Sequence, residues 1–262
     1  MRKSTGEPEP LVKLGNLLQS CSSVIVLLSG GMDSGFLLWA CTKFLSKNCI
    51  KAVTFNSPTT PRRELERAIQ TANLLQVEHI IIDAPEMEEE LFKRNDSLRC
   101  YYCKRSRLAY LKNYLGNLSA TLLDGSHLDD LKEDRPGMKA LKELGVISPL
   151  LETGWDRSLL ASQCRAYDLP FTERHTESCL ATRIKTGQQL DPELLERLDK
   201  LEEACLTLGI SLVRARYNNG EIRLEVKREE MVLTFEKREG IAKVAHDIGF
   251  KTIALDLYGY DG

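Results

Sequence analysis

The chain has no apolar run approaching the roughly 20 residues that a membrane span needs, and its first twenty residues lack a signal-peptide core. A membrane-embedded or secreted protein is therefore not expected, and a cytoplasmic one is. An excess of charge is missing too. Against 36 Lys+Arg stand 38 Asp+Glu, a net charge of −2, which offers no general attraction to nucleic acid. The 8 cysteines are irregularly spaced and come without a secretion signal, so a disulfide framework is not expected either. What remains is a soluble globular composition, 42% hydrophobic and 28% charged, with length enough for one large core or two smaller ones.

The most informative stretch runs from Ser22 to Leu45. Val24-Ile25-Val26-Leu27-Leu28 suits a strand buried on both faces of a parallel sheet. It runs into Ser29-Gly30-Gly31-Met32-Asp33-Ser34 and then into an apolar helix from Gly35. The lysine of a G-x-x-x-x-G-K-[ST] loop is absent here, and the glycines do not form G-x-G-x-x-G. Two adjacent glycines nevertheless let consecutive N–H groups converge on an anion, Ser29 and Ser34 add hydroxyls, and a helix N-terminus adds about half a positive charge. The residues predict a phosphate cradle.

A helix is expected over Leu11 to Leu18 and strands over Ile50–Asn56, Val77–Asp83, Thr121–Gly125 and Ile147–Leu151. Helical patterns follow Pro61, Asp96 or Ser97, and Asp156. Repeated strand-helix-strand units predict an α/β fold with a doubly wound parallel five-stranded sheet, ligands lying beyond the strand C-termini. Glu86 to Glu90 reads as a solvated helix start. Residues 186–262 change pattern: a helix from Asp191 to Leu208, a hairpin around Asn218-Asn219-Gly220, a helix over Thr234–Ile248 and a strand over Thr252–Leu257. The expected division is a nucleotide domain at 1–185 and a smaller C-terminal α+β domain at 186–262. The latter carries 11 Lys+Arg against 15 Asp+Glu, a poor surface for tRNA.

Three cysteines stand apart from the others. Cys100 and Cys103 share a helix face at i and i+3, with Arg99, Lys104, Arg105 and Arg107 nearby to favour thiolate, and Cys179 opens Cys179-Leu180-Ala181-Thr182-Arg183. Two ligands do not close a metal site, so a third cysteine is required. Zinc on these three plus His175 or His127, and a lone nucleophilic Cys179, are the competing readings. Arg214 and Arg216 alternate on one strand and so point the same way, which suits phosphate oxygens; a surface salt-bridge row is the alternative.

Ser29-Gly30-Gly31-Met32-Asp33-Ser34 resembles the pyrophosphate-binding loop of the ATP pyrophosphatases, the PP-loop superfamily. The resemblance implies ATP bound across the loop with Mg2+, adenylation of a substrate and release of pyrophosphate. It also implies adenine contacts from Thr54 to Asn56, Phe55 among them. Asp124-Gly125 followed by Asp134-Arg135-Pro136-Gly137, then Cys179 to Arg183 and Val213-Arg214-Ala215-Arg216, are similar to one branch of it. That branch is the sacrificial sulfur transferases called LarE, and the likeness covers essentially the whole chain after residue 10.

This second resemblance implies adenylation of a carboxylate of pyridinium-3,5-biscarboxylic acid mononucleotide and its conversion to a thiocarboxylate, in making the nickel-pincer nucleotide of lactate racemase. It implies Cys179, Asp33, Glu202 and Arg183 as catalytic, Ser29, Gly30, Gly31, Asp33, Ser34, Phe55 and Gly125 as ATP-binding, and Arg214 and Arg216 as the substrate-phosphate pair. Cys100, Cys103 and Cys179 would hold a [4Fe-4S] cluster whose open iron carries sulfide, the sulfur coming from a sulfide or persulfide donor. A homo-oligomer is expected, and nucleic acid is not. A tRNA thiolase is the rival enzyme, and a module that binds adenine nucleotide or iron without catalysis is the rival of another class.

Overall fold

A computed structural model describes residues 8–116, 119–132, 136–171 and 177–260. Asp134, Arg135 and His175, singled out above, lie outside the described residues. The chain divides into two compact units. One comprises Met1–Ser57, Arg62–Glu89 and Cys100–Glu177, and the other Pro58–Pro61, Glu90–Arg99 and Ser178–Gly262. Residues 178–185, read above as the end of the nucleotide domain, thus cluster with the second unit.

In the first unit α1 (Glu9–Gln19), β1 (Val24–Leu27), α2 (Met32–Phe44), β2 (Ile50–Asn56), α3 (Arg62–Leu75) and β3 (Glu78–Asp83) follow one another. Next in sequence are α4 (Glu90–Lys93), which clusters with the other unit, and α5 (Arg99–Leu115). Then come β4 (Thr121–Leu123), α6 (Pro136–Glu143), α7 (Pro149–Glu152) and α8 (Arg157–Ala166). The sheet order is β3-β2-β1-β4, with every pairing parallel.

Both faces of β1 are buried, as its unbroken apolar run requires. Val24 and Val26 join one core with Phe36, Leu37 and Leu160, whereas Ile25 joins another with Leu108, Leu111 and Leu141. Helices therefore cover the sheet on two sides, the doubly wound arrangement. Winding reverses between β1 and β4, so the segments after these two strands form the switch point where such sheets bind ligands.

Two local expectations are corrected. The fifth strand at Ile147–Leu151 shrinks to one parallel bridge between Leu123 and Ile147. Pro149, which has no N–H to offer a ladder, instead opens the helical turn α7. Glu86 is not solvated but 0% exposed, within a 3-10 turn over Pro85–Glu88.

The second unit contains α9 (Pro192–Thr207), β5 (Val213–Asn218), β6 (Glu221–Val226), α10 (Met231–Glu236), α11 (Arg238–Asp247) and β7 (Thr252–Leu255). Its sheet runs β5-β6-β7, antiparallel in the first pair and parallel in the second. The hairpin turns at Asn219 and Gly220, both at positive φ, as a tight two-residue connection demands. The single helix expected over Thr234–Ile248 is two, because Lys237 leaves the helical basin at ψ 4°. Leu194, Leu195, Leu198 and Leu201 supply the buried side of α9.

Candidate functional site

The glycine loop sits between the end of β1 and α2, and its geometry depends on the absence of side chains. Gly30 has φ +90°, and a Cβ there would lie 2.2 Å from the Glu64 carbonyl oxygen. From the neighbouring β4 end, a Cβ on Gly125 would lie 2.9 Å from Ser34 N. Only glycines let these backbones approach. Ser29 and Ser34 are joined through their hydroxyls at 3.0 Å, and Ser34 Oγ also accepts from Ser29 N at 3.2 Å. Gly31, the N-cap residue of α2, has no side chain to cap the helix, and its N–H donates to Ser29 Oγ at 3.4 Å. Ser29, Gly30, Gly31, Asp33, Ser34 and Gly125 are thus brought together at the switch point.

Asp33, in the first turn of α2, aims one carboxylate oxygen at His127, with Oδ2 3.6 Å from Nε2. That is an ion-pair distance and too long for a hydrogen bond. Asp129 Oδ2 is 3.7 Å from His127 Nδ1, and Asp130 Oδ1 is 4.0 Å from Nε2. The Asp33 carboxylate raises the His127 pKa above the ordinary imidazole value, opposed by burial and helped by Asp130 and Asp129. Below these groups Asp124 accepts from Ser126 Oγ at 2.6 Å and Ser148 Oγ at 2.5 Å, with Lys104 Nζ at 3.8 Å. The sequence singled out His127 only as a zinc ligand and did not connect it with Asp33. Its position just past the fourth strand, across the switch point from the loop, was the available signal.

Phe55, at the end of β2, lies beneath the Arg107 guanidinium, 5.5 Å from its ring centre. Arg107 Nη2 donates to Glu86 Oε1 at 2.5 Å, and the Ser57 hydroxyl donates to the same oxygen. Of Arg99, Lys104, Arg105 and Arg107, expected to surround the cysteine pair with positive charge, Arg107 and Lys104 face carboxylates. Arg107 is committed to Glu86, Lys104 faces Asp124, Arg105 stacks on Tyr101 and Tyr102, and Arg99 donates to Asn95 and to the Ala181 carbonyl.

Cys100 is exposed, and Cys103 and Cys179 are half-buried. Cys41, Cys164 and Cys205 are buried, and burial pushes the thiols of Cys164 and Cys205 up to about 12 and that of Cys41 higher still. The donor chemistry therefore favours the first three as ligands over the buried set. Cys100 and Cys103 belong to the first unit and Cys179 to the second. Among the described residues, no three His, Cys, Asp or Glu side chains form a group that could hold a metal ion.

The second unit gathers several candidates around the segment after Cys179. Arg183 makes a two-pronged ion pair with Glu202, at 2.7 Å from Nε and 2.9 Å from Nη2. Glu202 Oε1 also accepts from Ala215 N at 2.8 Å, and Arg183 Nη1 donates to the Ser178 carbonyl at 2.9 Å and to its hydroxyl at 2.6 Å. Arg216 donates to the Thr182 carbonyl and to Glu225, each at 2.8 Å. Arg214 is buried, with its guanidinium 5.6 Å from the centre of the Tyr260 ring. The alternation on β5 puts both arginines in the same neighbourhood, and Arg216 already has a carboxylate partner.

Residues 23–98 match the family of queuosine biosynthesis protein QueC. An uncharacterised protein of Synechocystis is 29% identical over 95% of this chain and 94% of its own length. The pyridinium-3,5-bisthiocarboxylic acid mononucleotide synthase of Lactiplantibacillus plantarum is 26% identical over 93% of this chain and 88% of its own. The 7-cyano-7-deazaguanine synthase of Aquifex aeolicus is 41% identical, but over 24% of this chain and 28% of its own length. Together with a parallel α/β sheet that carries Ser-Gly-Gly-Met-Asp-Ser at its switch point, these similarities support a place in the PP-loop superfamily.

Proposed function

We propose that the protein is a cytoplasmic ATP-dependent sulfur transferase that adenylates a carboxylate of pyridinium-3,5-biscarboxylic acid mononucleotide and exchanges the activated oxygen for sulfur. The observation that carries the reading is the loop. Gly30 and Gly125 leave no room for a Cβ where they meet their neighbours, and Ser29 and Ser34 turn hydroxyls toward one another at the start of α2. Such a cradle suits the pyrophosphate that leaves when a carboxylate attacks the α-phosphorus, with Mg2+ arriving on the nucleotide. Similarity to the L. plantarum synthase across both units supports the choice of substrate.

In the second unit Arg214 and Arg216 would bind the phosphate of the substrate nucleotide, with Arg216 exchanging Glu225 for phosphate oxygens. Arg183 and Glu202 hold the backbone on either side of Cys179 and Arg216: Arg183 grips Ser178, and Glu202 grips Ala215. Cys100, Cys103 and Cys179 would hold a [4Fe-4S] cluster, whose chemistry is to present a sulfide to the acyl-adenylate. Without a cluster, the Cys179 thiolate itself would be the single-turnover sulfur donor.

Pyrophosphate release measured with ATP, with and without the pyridinium mononucleotide, tests the function. Release that depends on the mononucleotide is expected. Release that requires tRNA instead would replace this reading by a tRNA thiolase, and nucleotide binding with no release under any condition would leave a binding module. Anaerobic reconstitution with iron and sulfide tests the cluster: visible absorption should appear in the wild type and be lost in Cys179→Ala.

A further inference from the structure

The candidate ATP loop carries no lysine or arginine, yet it must accept a polyphosphate beside an acid of its own. Asp33 stands in the first turn of α2 with Oδ1 buried and without a hydrogen-bond partner among the described residues. A carboxylate there favours the helix, since it complements the positive N-terminal dipole. For an incoming triphosphate it has the opposite effect. The same rim also carries Asp124, Asp129 and Asp130, so uncompensated charge would oppose binding.

Among the described residues, Lys104, Lys132 and His127 face this group of acids. Lys104 is 3.8 Å from Asp124. His127 is 5% exposed, its ring within 4.0 Å of carboxylate oxygens of Asp33, Asp129 and Asp130 and its backbone N–H bonded to Asp130 at 3.0 Å. Its Nδ1 is buried with no hydrogen-bond partner among the described residues, and Asp129 Oδ2 faces it at 3.7 Å. Asp129 is itself shared with Lys132 at 2.5 Å and with the backbone N–H of Arg157 at 2.8 Å. From α8, the buried Cys164 thiol also feels Asp33 and is held neutral.

We propose that His127 is a positioning residue for nucleotide binding: its imidazolium neutralises and orients Asp33, so that the loop accepts polyphosphate. The inference rests on the loop being the ATP site. His127 acts through Asp33 and is given no contact with the nucleotide. Burial opposes its charge while the three carboxylates sustain it, with Asp33 the largest contributor, so the charged form persists above the ordinary imidazole range and is lost at higher pH.

Direct titration of the full-length protein with MgATP, wild type against His127→Gln, tests this at about pH 6 and about pH 9, either side of the imidazole range. At the lower pH the variant should bind about tenfold more weakly, the order expected for losing one nearby charge. At the higher pH the two should converge as wild-type His127 loses its proton. Comparing variant with wild type cancels the titration of the nucleotide itself. A ratio that is the same at both pH values would mean a merely structural role and overturn the proposal, as would equal affinity at the lower pH. Wild type binding no ATP at either pH would overturn the loop reading and this inference with it, whereas binding with no His127 effect would sink the inference alone. Thermal unfolding of the variant identifies loss of fold, and in that case the wild-type pH profile decides: affinity that does not fall across the His127 titration overturns the proposal.

Discussion

Arg183 and Glu202 form a two-pronged ion pair in which both side chains are 0% exposed. Each also holds backbone: Arg183 the Ser178 carbonyl, and Glu202 the Ala215 N–H. Because both Glu202 oxygens are engaged, removing its charge leaves a guanidinium buried without its carboxylate. Glu202→Gln should therefore lose about 3 kcal/mol of stability. Urea unfolding of the single variants and of the double variant Arg183→Met/Glu202→Met checks this. The double variant should recover part of the loss, limited by the Ala215 N–H left without an acceptor. A Glu202→Gln protein as stable as wild type would contradict the structural role assigned here. Any loss of activity in this variant has to be read against its stability.

The loop's glycines should separate affinity from folding. A methyl on Gly125 meets the backbone of α2, Ser34 N at 2.9 Å and Ser34 Cα at 3.1 Å, so the start of α2 or the end of β4 must shift to admit it. Gly125→Ala is expected to fold, at a cost of about 1–2 kcal/mol for the overpacking, and to bind ATP more weakly. Gly30→Ala combines φ +90° with a 2.2 Å approach to the Glu64 carbonyl, so it should cost more stability than Gly125→Ala. Thermal unfolding with and without ATP measures both effects. Gly125→Ala binding ATP as tightly as wild type would count against the close approach as a constraint on the site.

The elements that showed most clearly in the sequence are those whose pattern is local. Val24 to Leu28 is apolar at every position because both of its faces are covered, and Asn219-Gly220 turns the hairpin because both residues take positive φ. The loop was legible because glycine and serine chemistry is concentrated in six residues. What stayed hidden depends on partners distant in sequence. Glu86 sits in an acidic run that looks solvated, and Arg107, from a helix after the third strand, together with the Ser57 hydroxyl compensates its burial. The resemblance singled out Glu202, but its burial shows only once Arg183 and Ala215 are brought to it. Strand five failed for a local reason that could have been weighed: Pro149 favours a helix start over a ladder.

Thiol chemistry should divide the eight cysteines. Cys41, Cys164 and Cys205 are buried, with thiols raised by burial, so a thiol reagent should react with them slowly in the native state. Cys100 is exposed and should react first. Timed alkylation followed by peptide mapping checks the order. Rapid labelling of Cys164 or Cys205 in the folded protein would contradict their placement in the cores.

The Glu86–Arg107 pair sets an acid limit on stability. Burial alone would raise the Glu86 pKa, but the Arg107 guanidinium and the hydrogen bonds from Arg107 and Ser57 outweigh it and hold the carboxyl below the ordinary glutamate value. A depressed carboxylate contributes stability that is fully present above its unfolded pKa and is lost as pH falls through the folded one. Arg107→Met removes the guanidinium and leaves the buried carboxylate to burial, which pushes its pKa up. The variant should be about 3 kcal/mol less stable than wild type near pH 7. The gap should narrow toward about pH 4, where Glu86 becomes neutral in the variant and needs no counter-charge while wild type is losing its advantage. Urea midpoints across this range give the measurement. A gap independent of pH would show that Arg107 stabilises by packing over Phe55 rather than by its charge on Glu86.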